Sequence, residues 1–185
     1  MKIILAILIS LLLSTVAFAQ KTPTFSQYDV PVENVTAQKI NFAGHPKARK
    51  FRTNLNAAPA TGKVDFAGHF IIAEWGCGSG CTQAAIIDAK TGKVFFPQVL
   101  WEVIAGDISL GEVDMLTYKK DSRLLVIAGY HGKKTPGSDI APHGISYFEW
   151  TGKELKLLKF IKKPIKKILI TFTRLAAKTP PRGDD

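Results

Sequence analysis

Three pairs of short stretches rich in branched and aromatic residues, each pair closed by a polar turn, constrain the fold of this chain most. Residues 82–88 and 93–96 flank Ala89-Lys90-Thr91-Gly92. Residues 114–118 and 123–129 flank the turn 119–122, and residues 145–150 and 153–161 flank Thr151-Gly152. Short stretches of this kind joined by polar turns read as β-hairpins, and the glycine that ends the 89–92 turn supplies the positive φ it needs. Residues 66–75 (FAGHFIIAEW) add a fourth β-rich stretch. The pattern predicts a mainly β, antiparallel architecture, a sandwich or a partial propeller of hairpin blades. Thr-Gly-Lys occurs at 61, 91 and 151. That spacing fits either an internal repeat or three hairpin turns of similar chemistry.

One N-terminal helix is expected over residues 46–58. Pro46 suits a first helical turn, and Ala48, Phe51, Leu55 and Ala58 form an apolar stripe flanked by Lys47, Arg49, Lys50 and Arg52. Pro59 and Gly62 stop it. Residues 20–35 read as an extended lead-in with at most one edge strand.

The N-terminus carries the layout of a secretory signal peptide: Lys2, an apolar run over residues 3–13, then Ala17-Phe18-Ala19. The apolar run is shorter than the roughly 20 residues a spanning helix needs, so cleavage before Gln20 is expected rather than retention as an anchor. Residues 1–19 are then the signal peptide, 20–161 a β-rich globular domain and 162–185 a basic C-terminal segment. The protein is expected outside the cytosol, in the periplasm or secreted.

In an oxidising compartment two nearby thiols usually pair. Cys77 and Cys81, the only cysteines, are separated by Gly-Ser-Gly, which permits a turn tight enough to bring their α-carbons within the roughly 4.4–6.8 Å a disulfide requires. The bridge is expected to tie the turn between two central strands. Three sharper readings compete. A redox-active pair usually has Cys-x-x-Cys spacing at a helix start. A metal site would need two further ligands, with His45 and His69 the nearest donors, and a cysteine nucleophile would need a free thiolate.

His45 and His69 each end a Phe-Ala-Gly-His tetrapeptide, read as a strand-opening turn with a hydrogen-bonded imidazole. His131 and His143 bracket the glycine-rich loop over residues 130–144 and could face one another across it. Glu74 should lie on the strand face opposite His69 and Trp75. His69, Trp75, Tyr130, His131 and His143 are the candidate binding residues. No catalytic set, cofactor motif or metal-ligand pattern is present in the sequence, so no catalytic residue, cofactor or metal is expected.

Phe51-Arg52-Thr53, then Phe66-Ala67-Gly68-His69, then Trp75-Gly76-Cys77-Gly78 with Cys81, together with Asp121-Ser122-Arg123-Leu124-Leu125 and the 147–152 hairpin, resemble a family of small exported bacterial proteins of unassigned function. The resemblance covers residues 46–160. It implies a bacterial, exported, β-rich domain and no particular chemistry. The first Phe-Ala-Gly-His, at 42–45, and the basic tail lie outside it.

The formal net charge of +10 is unevenly placed, since residues 153–185 carry ten basic and three acidic side chains. Lys162, Lys163, Lys166 and Lys167 are candidates for contact with an anionic surface, on a Pro164-kinked amphipathic helix with Leu157, Phe160, Ile161, Ile168 and Leu169 on one side. The alternative is a last core strand over 153–161, a proline turn and a second short element with a solvated lysine face. Residues 178–185 read as a tail. The function these features favour is an exported envelope binding or interaction protein whose partner is an anionic envelope surface or another protein. Nucleic acid is a poor fit for an exported chain. The alternatives are an envelope enzyme, either a thiol–disulfide oxidoreductase through Cys77 and Cys81 or a hydrolase through His131 and His143, and a secreted inhibitor of an envelope-directed enzyme.

Overall fold

The computed structural model describes residues 21–58, 63–105, 114–132 and 143–163. The signal-peptide reading, the centre of the 130–144 loop and most of the basic segment, including Lys166 and Lys167, lie outside these residues.

Eight antiparallel strands form one continuous sheet: β1 (Phe70–Gly78), β2 (Cys81–Asp88), β3 (Val94–Phe95), β4 (Val103–Ile104), β5 (Leu116–Tyr118), β6 (Leu124–His131), β7 (His143–Trp150) and β8 (Leu155–Lys162). The path runs β1-β2-β4-β6-β7-β8, with β3 beside β2 and β5 beside β6. All three hairpins read from the sequence are present. The two-residue strand β4 joins the halves, pairing Cys81 and Thr82 on one side and Tyr130 and His131 on the other. With so short a seam the sheet bends, and the two halves share one core. Phe70, Ile72, Ala84 and Ile86 from the first half meet Leu125, Ile127, Phe148 and Trp150 from the second. Trp150, 1% exposed, is the keystone: Phe70 and Phe95 meet its ring edge-on at 5.4 and 5.2 Å.

The opposite face of β1 and β2 supports a second core. Strand alternation sends Ile71, Ala73, Ala85 and Ile87 there, against Ala48, Leu55 and the partly buried Val35, Ala37, Ile40 and Phe42 of the N-terminal segment. That segment is pinned to the sheet's turns by main-chain bonds, Glu33 N–H to the Gly68 carbonyl, Gln38 N–H to that of Ala89 and Asn41 N–H to that of Gly92. The lead-in contains a 3₁₀ turn, Phe25–Tyr28, and one isolated bridge, Asp29 to Ser122. The buried Ser122 hydroxyl donates to the Phe25 carbonyl at 2.8 Å and accepts from Leu124 N–H.

Several expectations need correction. The single helix over 46–58 is two short helices, α1 (Pro46–Lys50) and α2 (Arg52–Ala57), broken at Phe51, whose φ of −104° and ψ of 25° leave the helical region. The β stretch starts at Phe70, because residues 66–69 form a tight turn with Ala67 and Gly68 both at positive φ. The earlier Phe-Ala-Gly-His opens a helix, not a strand: the His45 ring accepts from Lys47 N–H and caps α1. The disulfide joins Cys77 to Cys81 at a Cα separation of 5.1 Å, but it closes the tip of the β1–β2 hairpin, and β1 is the edge of the sheet path.

The Thr-Gly-Lys turns at 91 and 151 share a local device. In each the threonine hydroxyl accepts from the lysine N–H, and the glycine has positive φ, 69° at Gly92 and 90° at Gly152. Turn chemistry of this kind recurs wherever a hairpin needs it.

Candidate functional site

The odd-numbered residues of β1 face the helical layer, and Trp75 is the last of them before the hairpin tip leaves the core. Its indole N–H donates to Gln83 on β2 at 2.9 Å, which fixes the ring. The break between α1 and α2 places Phe51 on this ring, stacked at 5.1 Å and 27°. Trp101, which follows the 3₁₀ turn Gln98–Leu100, meets Phe51 edge-on at 5.4 Å. Phe96 lies 6.3 Å from Phe51 and carries the His45 ring at 4.6 Å on its other side. A half-buried aromatic band therefore runs from His45 through Phe96 and Phe51 to Trp75 and Trp101.

Cations cover this band. Lys47 Nζ sits 3.8 Å from the centre of the Trp101 ring, Lys50 Nζ 5.6 Å from that of Phe51, and the Arg52 guanidinium 4.8 Å from Phe42. Lys47, Arg49, Lys50 and Arg52 are all exposed, and none forms an ion pair with a described residue. The positive charge is concentrated and not neutralised by any described residue, above rings whose π faces hold the ammoniums in place. Such a face suits a ligand with both anionic groups and apolar or ring surface. The exposed disulfide hairpin rises beside it, anchored by Ala105 N–H to the Gly80 carbonyl.

Of the candidate binding residues His69, Trp75, Tyr130, His131 and His143, only Trp75 belongs to this face. His69 is part of a tether: its Nδ1 lies 3.0 Å from Glu33, which also binds Lys90, and its Nε2 3.8 Å from Asp88. The Lys90 hydrogen bond is the main reason the Glu33 carboxyl sits below its ordinary range. Tyr130 and His143 are cross-strand partners with rings 4.6 Å apart, and His143 Nδ1 contacts the Lys163 carbonyl. His131 points the other way, toward Phe148, and burial lowers its pKa. The two histidines that bracket the loop thus occupy opposite faces of the sheet and do not converge. Leu157, Phe160 and Ile161 do not share one side of a helix, because residues 155–162 pair with β7 as strand β8; Lys162 ends it opposite Gly144, and Lys163 N–H donates to the His143 carbonyl.

A second titratable cluster sits where β5 meets β1. The Tyr118 hydroxyl donates to Glu74 at 2.7 Å, and burial pushes both groups up. Asp65 accepts the Ile72 N–H at 2.9 Å, yet burial outweighs that bond and raises its carboxyl to about 6. Glu74 does lie on the strand face opposite Trp75.

The aromatic and cationic face was only half visible in sequence. Helical spacing shows Phe51 only as part of an apolar stripe flanked by cations, whereas Trp101, His45 and Phe96 reach the same patch through tertiary structure. No family model, no curated protein and no solved structure matches this chain.

Proposed function

We propose that this chain is an exported cell-envelope module that binds an anionic surface through the face formed by Lys47, Arg49, Lys50, Arg52, Phe51, Trp75 and Trp101. The observation that carries this reading is four exposed cations without acidic partners among the described residues, three of them, Lys47, Lys50 and Arg52, layered on half-buried aromatic rings. Lysine and arginine near an anionic bilayer contribute about 1 kcal/mol each, and tryptophan suits a boundary between apolar and wet regions. The signal-peptide layout and the resemblance to exported bacterial proteins support the envelope setting. The hairpin disulfide fits a rigid scaffold better than a redox centre, because it closes a β-turn and does not open a helix.

The test is co-sedimentation of the mature protein with phosphatidylglycerol vesicles and with neutral phosphatidylcholine vesicles, at low and physiological salt. Salt-sensitive binding to the anionic vesicles alone is expected. The triple variant K47E/R49E/K50E should weaken it on the order of 100-fold, from about 1 kcal/mol per charge. Full binding by that variant, with loss on deleting residues 164–185, would transfer the role to the basic C-terminal segment and sink this reading.

A further inference from the structure

A cleft of about 550 Å³ opens at one end of the shared core, between the β3 side of the first half-sheet and the turn joining β7 to β8. Its walls come from three distant pieces of chain: Gly44 and His45 before α1, residues 93–99, and residues 153–155. No sequence neighbourhood contains it. The volume falls within the roughly 300–1,000 Å³ of small-molecule sites, which are mostly apolar with a few convergent polar groups.

The apolar side is rigidly held. Phe95 is fixed edge-on against the buried Trp150, and Phe96 is held between His45 and Phe51. Leu155 completes it and packs on the shared core. The polar side is cationic. Lys93 and Lys153 line the cleft, and neither forms an ion pair with a described residue. Lys93 Nζ lies 4.8 Å from the centre of the Phe95 ring, which places a charge beside the aromatic surface. His45 adds a donor of fixed identity. Its Nδ1 accepts the Lys47 N–H at 3.1 Å, so the neutral ring carries its proton on Nε2, and that N–H has no described partner. One carboxylate, Glu154, lines the cleft against the two ammoniums.

We infer that this cleft binds a small amphipathic organic anion, an aromatic or alkyl group bearing a carboxylate or phosphate, with the apolar part against Phe95, Phe96 and Leu155 and the anion at Lys93, Lys153 and the His45 Nε2–H. A neutral ligand would leave the cations unused, and a bare inorganic anion would leave the apolar wall uncovered. The inference rests on the cavity and its lining, which shares His45 and Phe96 with the neighbouring aromatic band but includes none of the cations at 47–52.

Nuclear magnetic resonance titration of the mature protein tests it, with phenyl phosphate, benzoate, inorganic phosphate and benzyl alcohol as probes. Saturable shifts at residues 93–99 and 153–155 are expected for phenyl phosphate or benzoate, and the stronger of the two identifies the anionic group. Inorganic phosphate and benzyl alcohol should each bind at least tenfold more weakly. Both lysines are exposed, so K93E and K153E should fold, and each should weaken the preferred probe roughly tenfold, the loss expected for one charge-assisted contact. K47E/R49E/K50E, whose side chains are outside the lining, should weaken it less than either K93E or K153E does. Equal binding of benzyl alcohol, indifference to K93E and K153E, a greater loss in K47E/R49E/K50E than in those variants, or no saturable shift at these residues would each overturn the inference.

Discussion

Replacing Asp65 by Asn should make the protein more stable at neutral pH and no more stable in acid. Asp65 is partly buried beside β1, where its carboxyl oxygen accepts the Ile72 N–H at 2.9 Å. Burial outweighs this bond, and Glu74 adds further negative charge nearby, so the carboxyl titrates at about 6 against an ordinary 3.8. Below about pH 4 both folded and unfolded chains are protonated at this site, and it contributes nothing. Between the two values the folded chain holds the proton and the unfolded chain has released it. More protons bound in the folded state means that stability falls as pH rises. The loss is complete above about pH 6. About two pH units at about 1.4 kcal/mol each sets a ceiling near 3 kcal/mol, and partial exposure reduces it to about 1–3 kcal/mol. Asn keeps an oxygen for Ile72 and removes the charge, so D65N should recover that amount near neutrality, a rise of about 4–8 °C in Tm for a gain of about 2 kcal/mol. Urea unfolding of both proteins, followed by tryptophan fluorescence over a pH series, reads the difference directly. A D65N protein less stable than the parent at neutral pH, or a difference that does not change with pH, would refute the reasoning.

Two further outcomes follow from the turns. C77A/C81A should fold and lose only about 2 kcal/mol in urea unfolding, since the bridge closes a very small loop at the hairpin tip; the oxidised parent, denatured, should titrate with no free thiol. G92A should cost more than G152A although both glycines have positive φ: a Cβ at 92 runs into the Lys39 carbonyl, whereas at 152 it meets open space. The strain alone is about 1–2 kcal/mol, so G152A should stay near that figure and G92A should exceed it, again by urea unfolding.

The three hairpins were legible because their signals are local. Branched and aromatic stretches closed by a polar turn, with glycine in two of the three turns, specify a hairpin wherever it is placed, and Thr-Gly-Lys reappears at 91 and 151 with the same hydrogen bond. The pairing of Cys77 with Cys81 was legible for the same reason, being settled within five residues. Phe51 shows where local reading stops. Its spacing from Ala48 and Leu55 is helical, yet the chain breaks there and the ring joins Trp75, which a helical wheel cannot foresee. His131 and His143 show it again: closeness to one loop suggested that they meet, but strand alternation sends them to opposite faces.

Sequence by itself determined the three hairpins and which cysteines join, since each depends on backbone angles and side chains only a few residues apart. Tertiary structure alone decided that two residues of β4 weld the hairpins into a single bent sheet, and that His45, Lys93 and Lys153 converge on one cleft. Those outcomes depend on which apolar faces bury one another, and burial is settled by the whole chain at once.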